Sequence, residues 1–259
     1  SGEWNLASTT RDKLMAFSAH LAGRRVARNT ISFYMRPLRA SLIRAAAEGL
    51  VGFDPGWFAD IYTGVDATLK RAISEADLRR LASLDTAGSE TELLVRDVFM
   101  FSFYMRGMAF ADIARLRPED IEGDILRYSR RKTGARIAVR IEPAAMAIVE
   151  RWSGRSGRFL FPLLRDDSQR AYESALRLHN KRLKLLARKA GISTRLTSYV
   201  SRHTWATIAR RLNVPIAVIS AGMGHTSERT TRIYLDSISN DILDEANRLV
   251  AQTVASEMK

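Results

Sequence analysis

A spaced series of side chains in the second part of the chain could do chemistry on a phosphate ester: Arg106, Lys132, Tyr199, Arg202, His225 and Tyr234. Arginine presents a planar fork of N–H donors that matches phosphate oxygens. Lysine and histidine can carry protons, and tyrosine can attack as a nucleophile. Such a set could stabilise the charge of a transition state and supply both an acid and a nucleophile, without a metal ion.

Each of these residues also has an ordinary structural explanation. Arg106 lies in a strongly apolar stretch and could be an arginine at the edge of a core whose charged end reaches solvent. Lys132 lies in a turn, where an exposed lysine is common. Tyr199 and Arg202 share one helix face, and Tyr234 has the helical spacing of a core tyrosine. The order and spacing of the whole set therefore carry more information than any single member.

The composition points to a polyanionic partner. The 259 residues include 41 Lys and Arg against 28 Asp and Glu, a formal net charge of +13. The basic residues are mostly Arg and are spread through globular sequence, which favours nucleic acid over a membrane surface. A surface that is basic only for solubility is the alternative. Because the chain has no Cys, disulfides and zinc sites with thiolate ligands are excluded.

Other features of the sequence limit its location and its cofactors. No apolar run approaches the roughly 18–20 residues of a membrane span, and no signal peptide opens the chain. No cluster of His and carboxylates has the spacing of metal ligands. We therefore expect a cytoplasmic, nucleoid-associated protein that uses no cofactor and no metal ion.

Hydrophobic periodicity predicts a mainly helical protein with one small antiparallel β-meander. We expect a helical domain over residues 1–65, a linker over 66–73 and a mixed α/β domain over 74–259 that ends in an amphipathic helix. Ser74 is predicted to cap a helix, and a period of two between Ile121 and Ile141 predicts a hairpin with a basic tip. One helix is expected to end within residues 116–121. Further helices are predicted over residues 27–50, 57–62, 90–103, 168–190, 200–212, 216–223, 227–237 and 239–256.

In their order along the chain, the candidate residues resemble the catalytic set of the tyrosine recombinase, or phage-type integrase, family. The resemblance covers about residues 74–234. It is most specific in two stretches, Arg202-His203-Thr204-Trp205-Ala206-Thr207 and Gly224-His225 through Tyr234. Residues 30–55 are similar to the core-binding domain of the family at Tyr34, Ala47, Gly49 and Asp54-Pro55. Among integrases, the sequence most resembles those of conjugative transposons and phages of the Bacteroides group.

The resemblance implies a site-specific DNA recombinase that cleaves and rejoins strands through a 3′-phosphotyrosine. It implies Tyr234 as the nucleophile and two phosphate-binding cations, Arg106 and Arg202. Lys132 would protonate the leaving 5′-oxygen, and His225 would hydrogen-bond the phosphate and assist the nucleophile. The implied partners are double-stranded DNA attachment sites, a homotetramer assembled on DNA from monomers, and accessory DNA-bending proteins.

The sequence departs from the family pattern at two positions. Tyr199 replaces the usual histidine, and a phenol with a pKa near 10 cannot shuttle protons at neutral pH, although it can donate a hydrogen bond. The stretch after Arg106 is about one helical turn longer than usual, and Asp112 then aligns with the supporting carboxylate of the family. We expect Asp112 to support an active-site arginine, and His203 to be a structural hydrogen-bonding residue.

Two other functions fit parts of the sequence. A type IB topoisomerase forms the same phosphotyrosine but relaxes supercoils as a monomer, and the amphipathic segment after Tyr234 favours a recombinase that assembles. A catalytically silent DNA-binding protein could keep the fold, but the complete set of reactive residues argues against it.

Overall fold

The structure, a computed structural model, describes residues 5–66 and 72–224. The chain divides into two compact units, Ser1–Leu69 and Lys70–Lys259. Most of the predicted linker, and the helices predicted over residues 227–237 and 239–256, lie outside the described residues. Within the described ranges, no helix is both long and apolar enough to cross a membrane.

The first unit is built on two helices, α1 (Arg11–Gly23) and α2 (Arg28–Ala47), with short 3-10 turns at Leu6–Ser8 and Pro55–Phe58. Thr10 begins α1 by accepting a hydrogen bond from the backbone N–H of Lys13, the usual N-cap arrangement. Helix α2 continues through Pro37. The two helices and the second 3-10 turn enclose a small apolar core of Leu14, Ile31, Met35, Leu42, Phe58 and Ile61.

The second unit is mainly helical: α3 (Glu75–Ala82), α4 (Glu90–Tyr104), α5 (Phe110–Ile113), α6 (Pro143–Trp152), α7 (Gln169–Lys189), α8 (Val200–Arg211) and α9 (Ile216–Gly222). Helix α4 lies at the centre of this unit, since α3, α5, α6, α7 and α8 all pack against it. Its buried side chains include Val98, Phe99 and Phe101. The apolar run predicted to mark a buried helix therefore forms the middle of the core.

Serine residues begin three helices of this unit, as the sequence signals for helix N-termini require. Ser74, Ser89 and Ser168 accept hydrogen bonds from the backbone N–H three residues later, at the starts of α3, α4 and α7. Each cap satisfies an amide that would otherwise lack a partner in the first turn. The predicted cap at Ser74 is confirmed.

A three-stranded antiparallel sheet follows the order β1 (Ile121–Glu122), β2 (Ile125–Ser129) and β3 (Arg136–Arg140). In the register of β2 and β3, Leu126 lies opposite Val139 and Ser129 opposite Arg136. Leu126 and Val139 are buried, while their neighbours along each strand are more exposed, so one face of the sheet packs on the core. The predicted fold class, mainly α with a small β-meander, is confirmed.

Two predicted helices differ from the structure. The helix predicted over residues 57–62 is a 3-10 turn at Pro55–Phe58. The helix expected to end within residues 116–121 instead ends at Ile113 as α5, and Pro118–Asp120 forms a separate 3-10 turn. Pro118 lacks the N–H that a continuing helix would use. The Asp120 carboxylate accepts a hydrogen bond from the backbone N–H of Arg117 at 2.8 Å, and this bond fixes the new turn.

Candidate active site

The site begins where α4 ends and the chain turns back towards α8. Arg106 and Gly107 have φ values of +58° and +70°, a conformation that costs a non-glycine residue about 1–3 kcal/mol. A Cβ added at Gly107 would lie 2.7 Å from the Cα of Arg202. Only glycine therefore allows this turn to approach α8 so closely.

A hydroxyl pair fixes the same contact from inside the core. Ser102 of α4 and Ser201 of α8 are buried, and their Oγ atoms lie 2.6 Å apart. Oγ of Ser102 also lies 2.7 Å from the carbonyl oxygen of Met108, and Oγ of Ser201 lies 3.0 Å from that of Ser198. Because each hydroxyl has one hydrogen, one of the two donates to the other, which in turn donates to its carbonyl. These hydrogen bonds hold the turn after α4 against the first turn of α8, which carries Arg202.

Arg202 is a buried cation that the backbone holds in place. Its side chain belongs to a residue only 3% exposed, with Nη1 donating to the carbonyl of Gly107 at 2.8 Å and Nη2 to that of Met223 at 2.6 Å. Burial, with the nearby charge of Arg130, lowers the pKa of Arg202 to about 10. The guanidinium is still protonated at neutral pH, so it is a fixed positive charge in a region of low polarity.

A second buried arginine lies beside it. Arg130 follows strand β2 and is 8% exposed, and its Nη1 donates to the carbonyl of Gly224. The charge of Arg130 lowers the pKa of Arg202 and opposes the rise in the pKa of Asp112. The guanidinium groups of Arg130 and Arg202 are therefore close enough for their charges to act on each other and on Asp112.

Asp112 joins these cations to the hairpin. The carboxylate is buried at 6% exposure, and its Oδ1 accepts a hydrogen bond from the backbone N–H of Arg131 at 3.0 Å. Burial raises the pKa of Asp112, while this hydrogen bond and the charges of Arg130 and Arg202 act in the opposite direction. The carboxylate therefore supports the base of the hairpin through a direct contact and the two arginines through its charge.

The electrostatic effects on Tyr128 show that the charge of Arg106 also acts in this cluster. Burial and the negative charge of Asp112 raise the pKa of Tyr128 to about 12, against the lowering effect of three arginines, Arg202, Arg130 and Arg106. Arg106 is half-buried, and its Cδ lies 3.5 Å from the position of a Cβ added at Gly222. The structure thus gathers a cluster of three arginines, one carboxylate and one neutral phenol.

Tyr199 and His203 form the edge of the site at the start of α8. Tyr199 is the N-cap residue of α8 and is 49% exposed. Its ring lies 4.9 Å from that of His203 in an edge-to-face arrangement. Partial burial raises the pKa of Tyr199, against the opposing charges of Arg202 and Arg130. The phenol therefore stays protonated at neutral pH and can act as a hydrogen-bond donor.

With this geometry established, comparison with known proteins assigns the chain to a family. The model of the phage integrase family matches residues 72–240. The chain belongs to the phage integrase family. This integrase is 29% identical to the tyrosine recombinase XerC of Roseiflexus castenholzii (strain DSM 13941 / HLO8), over 87% of this chain and 73% of that protein. It is accordingly a tyrosine-type site-specific recombinase, an enzyme that cleaves and rejoins DNA.

Solved structures share the fold of this integrase. A lambda integrase tetramer bound to a Holliday junction has a TM-score of 0.66 and 14% identity, covering 90% of this chain and 66% of that chain. The Tn1549 transposon integrase in complex with circular intermediate DNA has a TM-score of 0.62 and 14% identity, covering 95% and 87%. The XerA recombinase has a TM-score of 0.53 and 19% identity, covering 95% and 85%.

The structure brings together some of the residues that the sequence singled out. Arg106, Asp112 and Arg202 lie in the cluster, and Tyr199 and His203 lie at its edge. Lys132 is exposed on the hairpin turn. His225 and Tyr234 lie outside the described residues. The assignment of chemical roles to these residues stays a prediction.

Sequence reasoning missed Arg130 and Tyr128. Neither residue was singled out, because neither belongs to the motif that the resemblance rests on. Arg130 contacts Gly224, a residue 94 positions later in the chain, and a sequence pattern does not reveal such a distant contact. The signal that could have found Arg130 is the turn itself, since it places a charged residue where the hairpin meets the core.

Proposed function

We propose that this recombinase cleaves one DNA strand with Tyr234 while a pocket of arginines, Arg106 and Arg202, stabilises the scissile phosphate. The observation that carries the proposal is the buried Arg202, whose guanidinium two backbone carbonyls hold beside the charges of Arg130 and Arg106. Burying a cation costs free energy, and an anion that binds beside it offsets that cost. A phosphodiester that gains negative charge in its transition state is such an anion.

The covalent step would exchange one phosphate ester for another. Oη of Tyr234 forms a bond to phosphorus as the bond from phosphorus to the 5′-oxygen breaks. Lys132 gives a proton to the leaving 5′-oxygen, and His225 takes up the phenolic proton. The resulting 3′-phosphotyrosine keeps the energy of the broken linkage, so a 5′-hydroxyl can reseal the strand by the reverse reaction.

Tyr199 is assigned a role as a hydrogen-bond donor to a phosphate oxygen. Burial raises the pKa of its phenol, against the opposing charge of Arg202. The phenol therefore keeps its proton at neutral pH, so it can donate a hydrogen bond but does not shuttle protons. Asp112 and His203 would support the site without touching the reacting atoms. Asp112 holds the hairpin backbone at Arg131, and His203 packs against the ring of Tyr199.

The partners follow from the same chemistry. We assign double-stranded DNA attachment sites as the substrate, because the chain carries a formal net charge of +13 and tight DNA binding depends on neutralised phosphates. The first unit, close to the predicted domain 1–65, would bind DNA, and the second would bind and cleave it. The solved lambda integrase was observed as a tetramer on a Holliday junction, which supports a homotetramer here.

Finer assignments complete the proposal. Accessory DNA-bending proteins, a monomeric state without DNA and a location with the nucleoid in the cytoplasm are our predictions. So is a closer kinship with integrases of Bacteroides conjugative transposons and phages. We expect the reaction to need no cofactor and no metal ion, since the proposed residues supply the cations, the acid and the nucleophile themselves.

The formation of a covalent adduct tests the proposal. Nicked duplexes, selected from a random-sequence library by binding to the protein, are incubated with it and run on a denaturing gel. We expect a protein–DNA band with the unaltered chain and with Tyr104→Phe, a half-buried tyrosine of α4 that packs against the core. Tyr234→Phe should give no band. An adduct that persists in Tyr234→Phe would remove Tyr234 as the nucleophile.

A further inference from the structure

Arg130 is a buried cation outside the set of residues assigned above. It is 8% exposed, whereas residues 131–134 of the same turn are exposed. Its backbone closes the turn, because its N–H donates to the carbonyl of Ala135 at 2.8 Å and its carbonyl accepts from the N–H of Gly134 at 2.7 Å. The turn therefore does not need an arginine side chain, and burying one is costly unless its hydrogen bonds are used.

The side chain of Arg130 contacts the last described turn of the chain. Its Nη1 donates to the carbonyl of Gly224. Gly224 has a φ of +63°, and a Cβ added there would lie 2.6 Å from Cδ1 of Ile137 and 3.4 Å from Cδ of Arg130. Gly224 thus packs against both strands of the hairpin, near the end of β2 and the start of β3.

The next residue of the hairpin base is also attached to the core. Oδ1 of the buried Asp112 accepts a hydrogen bond from the backbone N–H of Arg131 at 3.0 Å. Two contacts therefore hold the base of the hairpin, one through Asp112 and one through Arg130. Lys132 comes directly after the first contact in the sequence, and His225 comes directly after Gly224.

We propose that Arg130 is a positioning residue, which fixes the hairpin that carries Lys132 against the segment that leads into His225. This inference rests on the proposed function and deepens it. If the hydrogen bond to Gly224 is lost, the hairpin keeps its turn, its apolar packing and the Asp112 contact, but it is no longer hydrogen-bonded to the segment that leads into His225. Lys132 then spends less time within reach of the leaving oxygen, and a misplacement of about 1 Å in such a group can cost about 10²-fold in rate.

A DNA substrate that needs no acid separates this role from others. Single-turnover cleavage is measured at saturating protein on nicked duplexes with either a normal or a 5′-bridging phosphorothiolate linkage. The thiolate leaves without a proton at neutral pH, since thiols ionise far more readily than alcohols. We expect Arg130→Gln to slow cleavage of the normal linkage by about 10²-fold and to cleave the phosphorothiolate nearly as fast as the unaltered chain.

Two further variants sharpen the test. Lys132→Ala should show the same selective loss, and the double variant should be no slower than Lys132→Ala alone, because residues that act through one group are not additive. Arg127→Gln is the matched control, since Arg127 lies on the same strand, is exposed and pairs with Glu122. It loses the same charge and should leave the cleavage rate of bound DNA unchanged.

Several outcomes would overturn the inference. Arg130→Gln that is equally slow on both linkages would mean that Arg130 acts on the phosphate itself, and an unchanged rate would mean that it has no role. If Arg130→Gln does not fold, Arg130→Lys keeps a donor for Gly224 and should show a smaller loss that disappears on the phosphorothiolate. A loss in that variant that remains on the phosphorothiolate would contradict the inference.

Failure of the proposed function is recognised separately. A Lys132→Ala protein that the phosphorothiolate does not rescue would remove Lys132 as the acid, and the inference would fall with it. If Lys132→Ala is rescued but Arg130→Gln is not, the assigned acid stands and only the role of Arg130 is wrong.

Discussion

The orientation of the Arg202 side chain is fixed by hydrogen bonds to the backbone. Both of its Nη atoms donate to backbone carbonyls, of Gly107 and of Met223, so the orientation of the fork is set by the fold. Because the residue is buried, its charge is less screened than that of a surface arginine. Burial and the charge of Arg130 lower its pKa to about 10, which is still far above neutral pH.

Tyr199 allows a test of proton transfer at one position. Its phenol has a raised pKa, so it stays protonated across the neutral range and adds no titration there. Tyr199→His should add a group that titrates near about 6.5. We expect the cleavage rate of this variant to depend on pH between about 5.5 and 7.5 in a way that the unaltered chain does not, as measured by single-turnover rates.

The control for this prediction is Tyr199→Phe. The phenylalanine keeps the ring beside His203 but removes the donor, so it should slow cleavage without changing the shape of the pH profile. Profiles of the histidine variant and the unaltered chain that coincide would contradict a titrating group at position 199.

At the residue scale, the sequence predicted those members of the cluster that belong to a local motif. Arg106 was singled out because it is a charged residue in an apolar run, and Arg202 because it lies three residues after Tyr199 in the stretch that resembles the family. Arg130 and Tyr128 were not, because their roles depend on contacts that only the folded chain creates. Asp112 was expected to support an active-site arginine; its charge acts on Arg130 and Arg202, and its hydrogen bond goes to the backbone of the hairpin.

Among the elements, the close approach of α4 and α8 depends on Gly107. In Gly107→Ala the new Cβ would meet the Cα of Arg202 at 2.7 Å, in a backbone conformation that alanine rarely adopts. Backbone strain alone costs about 1–3 kcal/mol. Because the two helices must also move apart, we expect the free energy of unfolding to fall by well more than that amount, and we expect cleavage to be slower. Thermal unfolding and the adduct assay measure the two effects.

Gly154→Ala is the matched control for Gly107→Ala. Gly154 has a φ of +77°, but nothing lies within 4 Å of an added Cβ. Gly154→Ala therefore introduces the backbone strain without the steric clash. We expect it to lower the free energy of unfolding by roughly 1–3 kcal/mol and to leave the cleavage rate unchanged. Equal losses of stability and activity in the two variants would argue against a tight contact at Gly107.

The packing of α7 on α5 makes the second unit sensitive to acid. His179 of α7 is buried at 3% exposure, its ring lies 4.8 Å from that of Phe110, and neither ring nitrogen has a hydrogen-bond partner among the described residues. Burial lowers the pKa of His179 to about 3. The unfolded chain therefore binds a proton that the folded chain does not, at any pH between about 3 and 6.5.

The sign of this effect follows from the lowered pKa. Stability should rise with pH from about 3 to 6.5 and should fall as acid is added below 6.5. His179 should make the free energy of unfolding about 2 kcal/mol smaller at pH 5 than at pH 7. In His179→Phe the loss between pH 7 and pH 5 should be smaller by about that amount, as measured by denaturant unfolding at both values. An identical loss in both proteins would contradict a buried neutral histidine.

The elements themselves could be predicted where a local signal exists. The cap at Ser74, the hairpin and the long helix α7 all follow from periodicity and from residues next to the ends of the elements. The predicted helix over residues 57–62 is instead a 3-10 turn at Pro55–Phe58, where the Asp54 side chain accepts from the backbone N–H of Gly56 at 2.8 Å. That hydrogen bond competes with a regular helix start, and hydrophobic spacing does not reveal it.

At the scale of the whole molecule, the net charge of +13 and the buried arginines have different tasks. Exposed cations supply DNA affinity that depends on salt and carries little sequence information. Arg202 and Arg106 are buried or half-buried, and we propose that they contribute to cleavage more than to affinity. Fold class and family could be predicted from the sequence, because helical periodicity and the ordered motif extend over most of the second unit.

The central claim is that the arginine pocket neutralises the charge of the scissile phosphate, and a methylphosphonate linkage tests it most directly. Replacing one non-bridging oxygen by a methyl group removes the negative charge that Arg202 is proposed to stabilise. On the normal linkage, Arg202→Ala should slow single-turnover cleavage by about 10²–10³-fold. On the methylphosphonate the same substitution should cost far less. An equal loss on both linkages would contradict the account.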